Sequence, residues 1–214
     1  YDPLGNRLEE RYYPYGGIAD TTTYIRNATA DIVAIYDRSK DTVRLTEFDI
    51  YGNRRLGSFD TLLRMQKLIT GFGPMDSLTI HYLEGQRQYE LTNNVGTVLV
   101  TVSDKKWAID TTSTPSIANY YLPVVVSAND HYSYGLGQYG RSYLLNHDSS
   151  YNYTYQGSLK DDKIDGKGNA INTKDRIDFL QEPDWITPDN VTHPSESPYL
   201  TMGDNPILNN DIIG

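Results

Sequence analysis

Four histidines, His81, His131, His147 and His193, are the side chains best suited to hold a metal ion or move a proton near neutral pH. No two of them stand four residues apart, so no helical face presents two imidazoles to one ion, and no metal or other cofactor is expected. The run "DDKIDGKGN" (161–169) echoes the acidic rhythm of a calcium loop. Lys163, however, occupies a position that would have to be a ligand, so a solvated turn is the simpler reading. Ser and Thr are plentiful without a Gly-x-Ser-x-Gly nucleophile elbow. The glycines of "GLGQYG" have no helix after them to complete a phosphate site. With no Cys in the chain, thiolate ligands, a Cys nucleophile and disulfides are all excluded.

The elements that must position any site are read from composition and pattern. The 214 residues carry a net charge of −9. They show no basic cluster that could neutralise a nucleic-acid backbone, so no nucleic-acid partner is expected. No apolar run is long enough to span a membrane as a helix, and no export signal is visible within these residues. Tyr is the outlier, with 19 copies against 4 Phe and 2 Trp. It is a strand former whose ring packs while its hydroxyl stays hydrogen-bonded, which points to an extensive sheet with half-wet faces.

Alternating β-branched, aromatic and polar residues predict strands in "TTTYIRN", "DIVAIYD", "TVRLTEFDIY", "LTIHYLE", "RQYELTN", "GTVLVTVSD", "YLPVVVSA" and "YNYTYQG". Gly-, Asn-, Asp- and Lys-rich separators such as "YGNRRLG" and "TNNVG" lie between them. Only "FDTLLRMQKLITGF" (59–72) has helical spacing, with Leu62, Met65, Ile69 and Phe72 near one face; a pair of strands in an irregular insertion is the alternative. From about Asp161 the chain turns polar and rich in Pro, Asn and Asp, the composition of a loop-dominated tail. Residues 1–160 are therefore expected to form a β-sheet segment and 161–214 a loop-rich C-terminal region.

A short unit recurs through the first part: an aromatic strand, a turn with Gly or Asn, and a second strand. "YDPLGNRLEE", "YIRNATADIVAIYD", "IYGNRRLGSFD" and "YELTNNVGTVLVTVSD" all fit it. One such hairpin cannot bury its own face, so copies must stack. In these units the chain resembles the RHS/YD-repeat proteins, in particular their C-terminal RHS repeat-associated core in the style seen in Bacteroidota. "IYGNRRLG" is similar to that core's Tyr-Gly-x-x-Arg-Leu-Gly turn. "RQYELTNNVGTVLVTVSDKK" is similar to its Tyr-x-Leu-x-x-x-x-Gly-Asn-Val unit. "DHYSYGLGQYGRSY" and "YTYQGSLKDDKIDGKGN" resemble its later Tyr-Pro-Phe-Gly and Gly-x-Lys-Asp-Asp-Glu stretches. The motifs follow in family order from Tyr1 to Gly214.

The resemblance implies an all-β fold in which YD-repeat hairpins form part of a spiralling hollow shell, closed by a loop-rich plug. It implies a structural role in a bacterial protein that is secreted or held at the cell surface and is polymorphic-toxin-like. Such a shell encapsulates or delivers a C-terminal effector. Expected partners are the remainder of its own shell or companion chains, the enclosed effector and secretion machinery. A full shell needs a longer chain, so the start in mid-repeat is expected to mark the last stretch of a larger one. Trp185, Ile186, Tyr199 and Pro206 are the expected anchors of the plug.

The resemblance also points to chemistry. Many family members end in two Asp-Pro-x-Gly motifs whose aspartates are linked to self-cleavage. Laid on that pattern, "WITPDNVT" places the first aspartate at Asp189 and "GDNPILNNDIIG" the second at Asp211, with the family's spacing kept and cleavage expected at or near Gly214. The pattern is broken at Asn190 and Ile212, which stand for the prolines, and at Thr192, which stands for the first Gly. Upstream, "RIDFLQEPDW" keeps Arg176 but loses the family's Tyr-Asp-Pro. Two carboxylates brought together would share a proton, one serving as acid and the other as base, an aspartyl autoprotease. The alternative is that both are turn residues accepting backbone N–H groups. A further reading makes the chain a surface adhesin or glycan-binding module, with exposed tyrosines and Trp107 as stacking platforms.

Overall fold

The computed structural model describes residues 1–15, 17, 19–39, 42–60, 64–65, 84–111, 118–145, 151–164, 166–173, 177–181, 188, 194–200 and 202–209. Among them there is no α-helix. The larger sheet comprises β1 (Glu9–Tyr12), β2 (Asp20–Arg26), β3 (Ile32–Ser39), β4 (Thr42–Tyr51), β5 (Arg55–Asp60), β6 (Arg64–Met65), β7 (Arg87–Thr92), β8 (Val98–Ile109), β9 (Tyr120–His131) and β10 (Gly137–Leu144). Apart from β6, these strands neighbour one another in chain order, and every pairing whose register is defined is antiparallel. A second sheet joins β11 (Leu159–Lys160), β12 (Ala170–Asn172) and β13 (Ile177–Phe179), also antiparallel. The fold is all-β, as the period-2 patterning predicts.

Three of the four repeat units seen in the sequence share one five-residue turn, which recurs twice more along the chain. At Asp2–Asn6, Asn27–Asp31, Asn93–Thr97, Tyr132–Leu136 and Thr154–Ser158 the first residue's N–H donates to the fifth residue's carbonyl over 2.8–3.0 Å. In each, the fourth residue's N–H returns to the first residue's carbonyl. That fourth residue is left-handed every time: Gly5, Ala30, Gly96, Gly135 and Gly157 have φ of 85°, 67°, 86°, 92° and 71°. In three copies the first side chain locks the turn further. Asp2, Asn27 and Asn93 each accept, on one side-chain oxygen, the N–H groups of the residues two and four further on. This is a three-residue hairpin loop with a bulge, whose twist matches that of the strands it joins.

Chain contacts divide the molecule into two compact units, residues 1–89 with 103–123, and residues 90–102 with 124–214. In the first, one sheet face buries a ladder of polar and aromatic groups. The Tyr24 hydroxyl donates to Glu10, the Thr22 hydroxyl donates to Asp37, and Arg7 lies 3.5 Å from Glu10. Leu45, buried in β4, pairs with Tyr36 of the opposite face, and Phe59 is buried in β5. The other face carries an open groove of about 420 Å³ lined by residues including Glu9, Arg11, Thr23, Tyr36 and Arg38. The second unit holds the apolar core of Tyr155, Ile171 and Leu180, against which Leu136 and Met202 pack.

Two expectations lie partly or wholly outside the described residues. Of the helical-spacing segment 59–72, only Phe59, Asp60 and the backbone of Arg64–Met65 are described; there Arg64 and Met65 pair with Arg44 and Val43 of β4. Of "LTIHYLE", only Glu84 is described. "YNYTYQG" differs from a continuous strand: Tyr153 bridges Leu159, and a 3-10 turn follows at Tyr155–Gly157. The cause is the recurring turn, which begins at Thr154 and needs a left-handed Gly157. Of the separator "YGNRRLG", Arg55–Gly57 lie in β5, where Gly57 is packed too tightly for any side chain: a Cβ there would lie 2.0 Å from the Gln88 carbonyl oxygen.

Ala30 is the sole non-glycine at the left-handed position of the five turns, so Ala30→Gly is expected to raise stability by about 1 kcal/mol. Gly57→Ala is expected to lower it by about 3 kcal/mol through overpacking. Gly137→Ala, with nothing within 4 Å, is the neutral control. Denaturant midpoints of the three variants check all of this.

Candidate functional site

In the second unit, the turn Thr154–Ser158 forms a seat on which a later segment of the chain rests. The approach to it is "YNYTY", whose Tyr151, Tyr153 and Tyr155 are all buried. Tyr151 and Tyr153 meet edge to face with centroids 5.9 Å apart, and the Tyr151 hydroxyl donates to Glu90. Tyr155 donates its hydroxyl to the Ser133 carbonyl over 2.8 Å, and burial pushes its phenol up to about 12. The ring sits directly over Gly135, where a Cβ would lie 2.4 Å from Tyr155 Cγ.

Gln156 is held in a left-handed conformation, φ 48° and ψ 28°. Its N–H donates to the Thr97 hydroxyl over 3.1 Å, and its side-chain amide reaches outward from the turn. That amide lies 2.9 Å from Met202 Sδ and 3.5 Å from the Asn209 carbonyl. The captured segment, Met202–Asn209, is itself a compact loop. Asn209 Nδ2 donates to the Met202 carbonyl over 2.8 Å, and the N–H groups of Leu208 and Asn209 return to the Asn205 carbonyl. Pro206 is buried.

Beside the seat lies a polar cleft of about 580 Å³, lined by residues that include His131, Asn94, Arg141, Tyr155, Pro206 and Ile207. His131 Nε2 lies 3.1 Å from the Thr154 hydroxyl. Its Nδ1 is shut off from solvent and has no hydrogen-bond partner among the described residues. Burial, and then the positive charge of Lys160, hold the imidazole pKa below its ordinary value. Lys160 is lowered in turn, chiefly by burial, and its ammonium donates to the Tyr151 carbonyl over 2.9 Å. Chemically, the seat holds a segment of its own chain through the Gln156 amide.

Of the residues singled out in the sequence, Asp189, Asp211, Trp185, Ile186 and Gly214 lie outside the described residues, as do His81, His147 and His193. Tyr199 is exposed in a turn at Ser197–Leu200, Pro206 is buried within the captured loop, and Trp107 is exposed on β8. "DDKIDGKGN" is a turn in which the Asp162 carboxylate accepts the Gly168 N–H. Among the described residues no three His, Asp or Glu side chains gather as a metal site. Sequence reasoning missed Gln156, Met202 and Asn209. The signal available was the spacing Thr154-x-x-Gly157, which repeats Asn93-x-x-Gly96.

Gly135→Ala must move Tyr155 as well as adopt φ +92°, so a loss of about 3 kcal/mol is expected. Tyr155→Phe, which removes the short bond to the Ser133 carbonyl and the longer contacts to Met202 Sδ and the Gln156 amide but keeps the ring, is expected to lose about 1 kcal/mol. Thermal or denaturant unfolding measures both.

No family model matches the chain, and no curated protein matches it. Solved structures do. The crystal structure of TcdB2-TccC3 aligns over 99% of this chain with a TM-score of 0.54 at 12% sequence identity, and this chain spans 10% of that one's length. TcdB2-TccC3 is an RHS/YD-repeat toxin component. This chain therefore has an RHS-like, antiparallel all-β fold.

Proposed function

We propose that this chain is a segment of an RHS-type β-shell in a secreted or surface-exposed bacterial protein, and that the shell encloses or delivers a polypeptide. The carrying observation is the run of hairpins that pair in chain order from β1 to β10, aligned with TcdB2-TccC3 over nearly the whole chain. Among the described residues β1 pairs only with β2 and β10 only with β9, and open edges invite further strands. Residues 161–214 act as the plug in this reading, with the Gln156 seat gripping the Met202–Asn209 loop. No helix among the described residues is long and apolar enough to cross a membrane.

The test is to express whole the natural reading frame that contains these residues and image the purified product. A hollow particle whose contents resist trypsin until the shell is unfolded is expected; a solid particle with all segments equally cut overturns the reading. Intact masses of the same product as wild type, Asp189→Asn and Asp211→Asn test self-cleavage. Splitting near Gly214 in wild type alone assigns the two aspartates as the dyad, and unsplit wild type removes that assignment.

A further inference from the structure

Strands β1 to β3 present two faces of opposite character. On one, the polar side chains satisfy each other and the backbone: Tyr24 donates to Glu10, Thr22 to Asp37, and Arg26 to the carbonyls of Arg7 and Ala30. On the other, the side chains of Thr21, Thr23, Tyr36 and Arg38 make no hydrogen bond or ion pair among the described residues. These four line the open groove of about 420 Å³. Polar groups left unengaged on a concave surface are the kind that fix a ligand.

The register sets where each group stands. Arg11, Thr21 and Arg38 are direct cross-strand partners and form one row over β1, β2 and β3; Glu9, Thr23 and Tyr36 form the next. Strand spacing puts the two arginines about 10 Å apart at their backbones, with Thr21 between them, and the rows about 7 Å apart. Arg11 holds Glu9 at 2.5 Å, with the side chains 61% and 40% exposed. An ion pair so open to water is readily exchanged for another carboxylate. Arg38 is exposed and faces no acid across either neighbouring strand, since its partners are Thr21 and Val43. Its planar fork can take a carboxylate in two parallel bonds.

We propose that this groove binds an acidic polysaccharide of the uronic-acid class. Arg38 and Arg11 take two of its carboxylates, and the hydroxyls of Thr21, Thr23 and Tyr36 take sugar hydroxyls. The face of a sheet offers side chains only, because its backbone donors and acceptors are engaged with neighbouring strands. Extended peptides dock on sheets through backbone bonds at an edge. A ligand with a dense array of hydroxyls and regularly spaced carboxylates therefore suits this face better than an acidic peptide does. The net charge of −9 opposes general attachment of a polyanion, so affinity must come from the local pair of guanidiniums. This inference rests on one face of β1–β3 and holds whether or not the chain encloses another polypeptide.

Isothermal titration calorimetry of the full chain with a 1,4-linked hexamer of galacturonic acid tests it, beside hexamers of galactose and of glutamic acid. The galacturonate hexamer is expected to saturate one site and to bind at least about tenfold more tightly than either control. Arg38→Gln and Arg11→Gln are each expected to weaken it about tenfold, the loss of one charge-assisted contact. Thr21→Val, which keeps the side chain's shape, is expected to weaken it about fivefold. Trp107→Ala, on β8 and outside the groove, is expected to bind as wild type does. Absence of galacturonate binding overturns the proposal, as does binding that the two arginine variants leave intact. So does binding that falls as far with Trp107→Ala as with Arg38→Gln. A glutamate hexamer that binds as tightly as the galacturonate one overturns it too, and makes the face a dock for acidic peptide.

Discussion

One backbone requirement runs through the molecule: a left-handed residue at the fourth position of a five-residue turn. An L-residue with a Cβ resists that conformation, so glycine fills it at 5, 96, 135 and 157, and only Ala30 departs. The turn reverses the chain with a twist that suits adjoining antiparallel strands. Between β2 and β3, β7 and β8, and β9 and β10 it sets the next strand against the last, in a sheet whose strand order follows chain order. Asp or Asn at the first position adds two side-chain bonds to backbone N–H groups that would otherwise compete for water.

The same turn serves two ends. Between β2 and β3 it joins two strands, and between β7 and β8 it also offers the Thr97 hydroxyl to the Gln156 N–H. At Thr154–Ser158 it has been turned into a holder. There the second and third positions are Tyr155 and Gln156, whose side chains leave the turn and grip residues far along the chain. Since Gly135, in the neighbouring copy, leaves room for the Tyr155 ring, the two turns depend on each other. A structural repeat thus becomes a site by changing its side chains while its backbone stays put.

Much of the sheet was legible. The β4 strand was predicted with the bounds it has, and β2, β3, β7, β8 and β9 within a few residues of theirs at most ends, because their alternation is strong. β1, β5 and β10 were harder to see. β5 carries Gly57, which reads as a turn signal until one knows how closely the Gln88 backbone approaches, and β10 carries Gly137 and Gly140, which read the same way with no such neighbour. The three short strands β11–β13 carry two or three residues each, too few for a period to register.

The sequence by itself determined the all-β class, the hairpin repeat and the polar character of the C-terminal part. These follow from local causes: which residues tolerate positive φ, which alternate, and which cannot bury themselves. Only the tertiary structure decided that Gln156 meets Met202 and Asn209, some fifty residues away. It also decided that half-buried His131 lies near Lys160, its Nδ1 without a partner among the described residues. Such contacts depend on burial and on the meeting of distant segments, and no spacing along the chain encodes either.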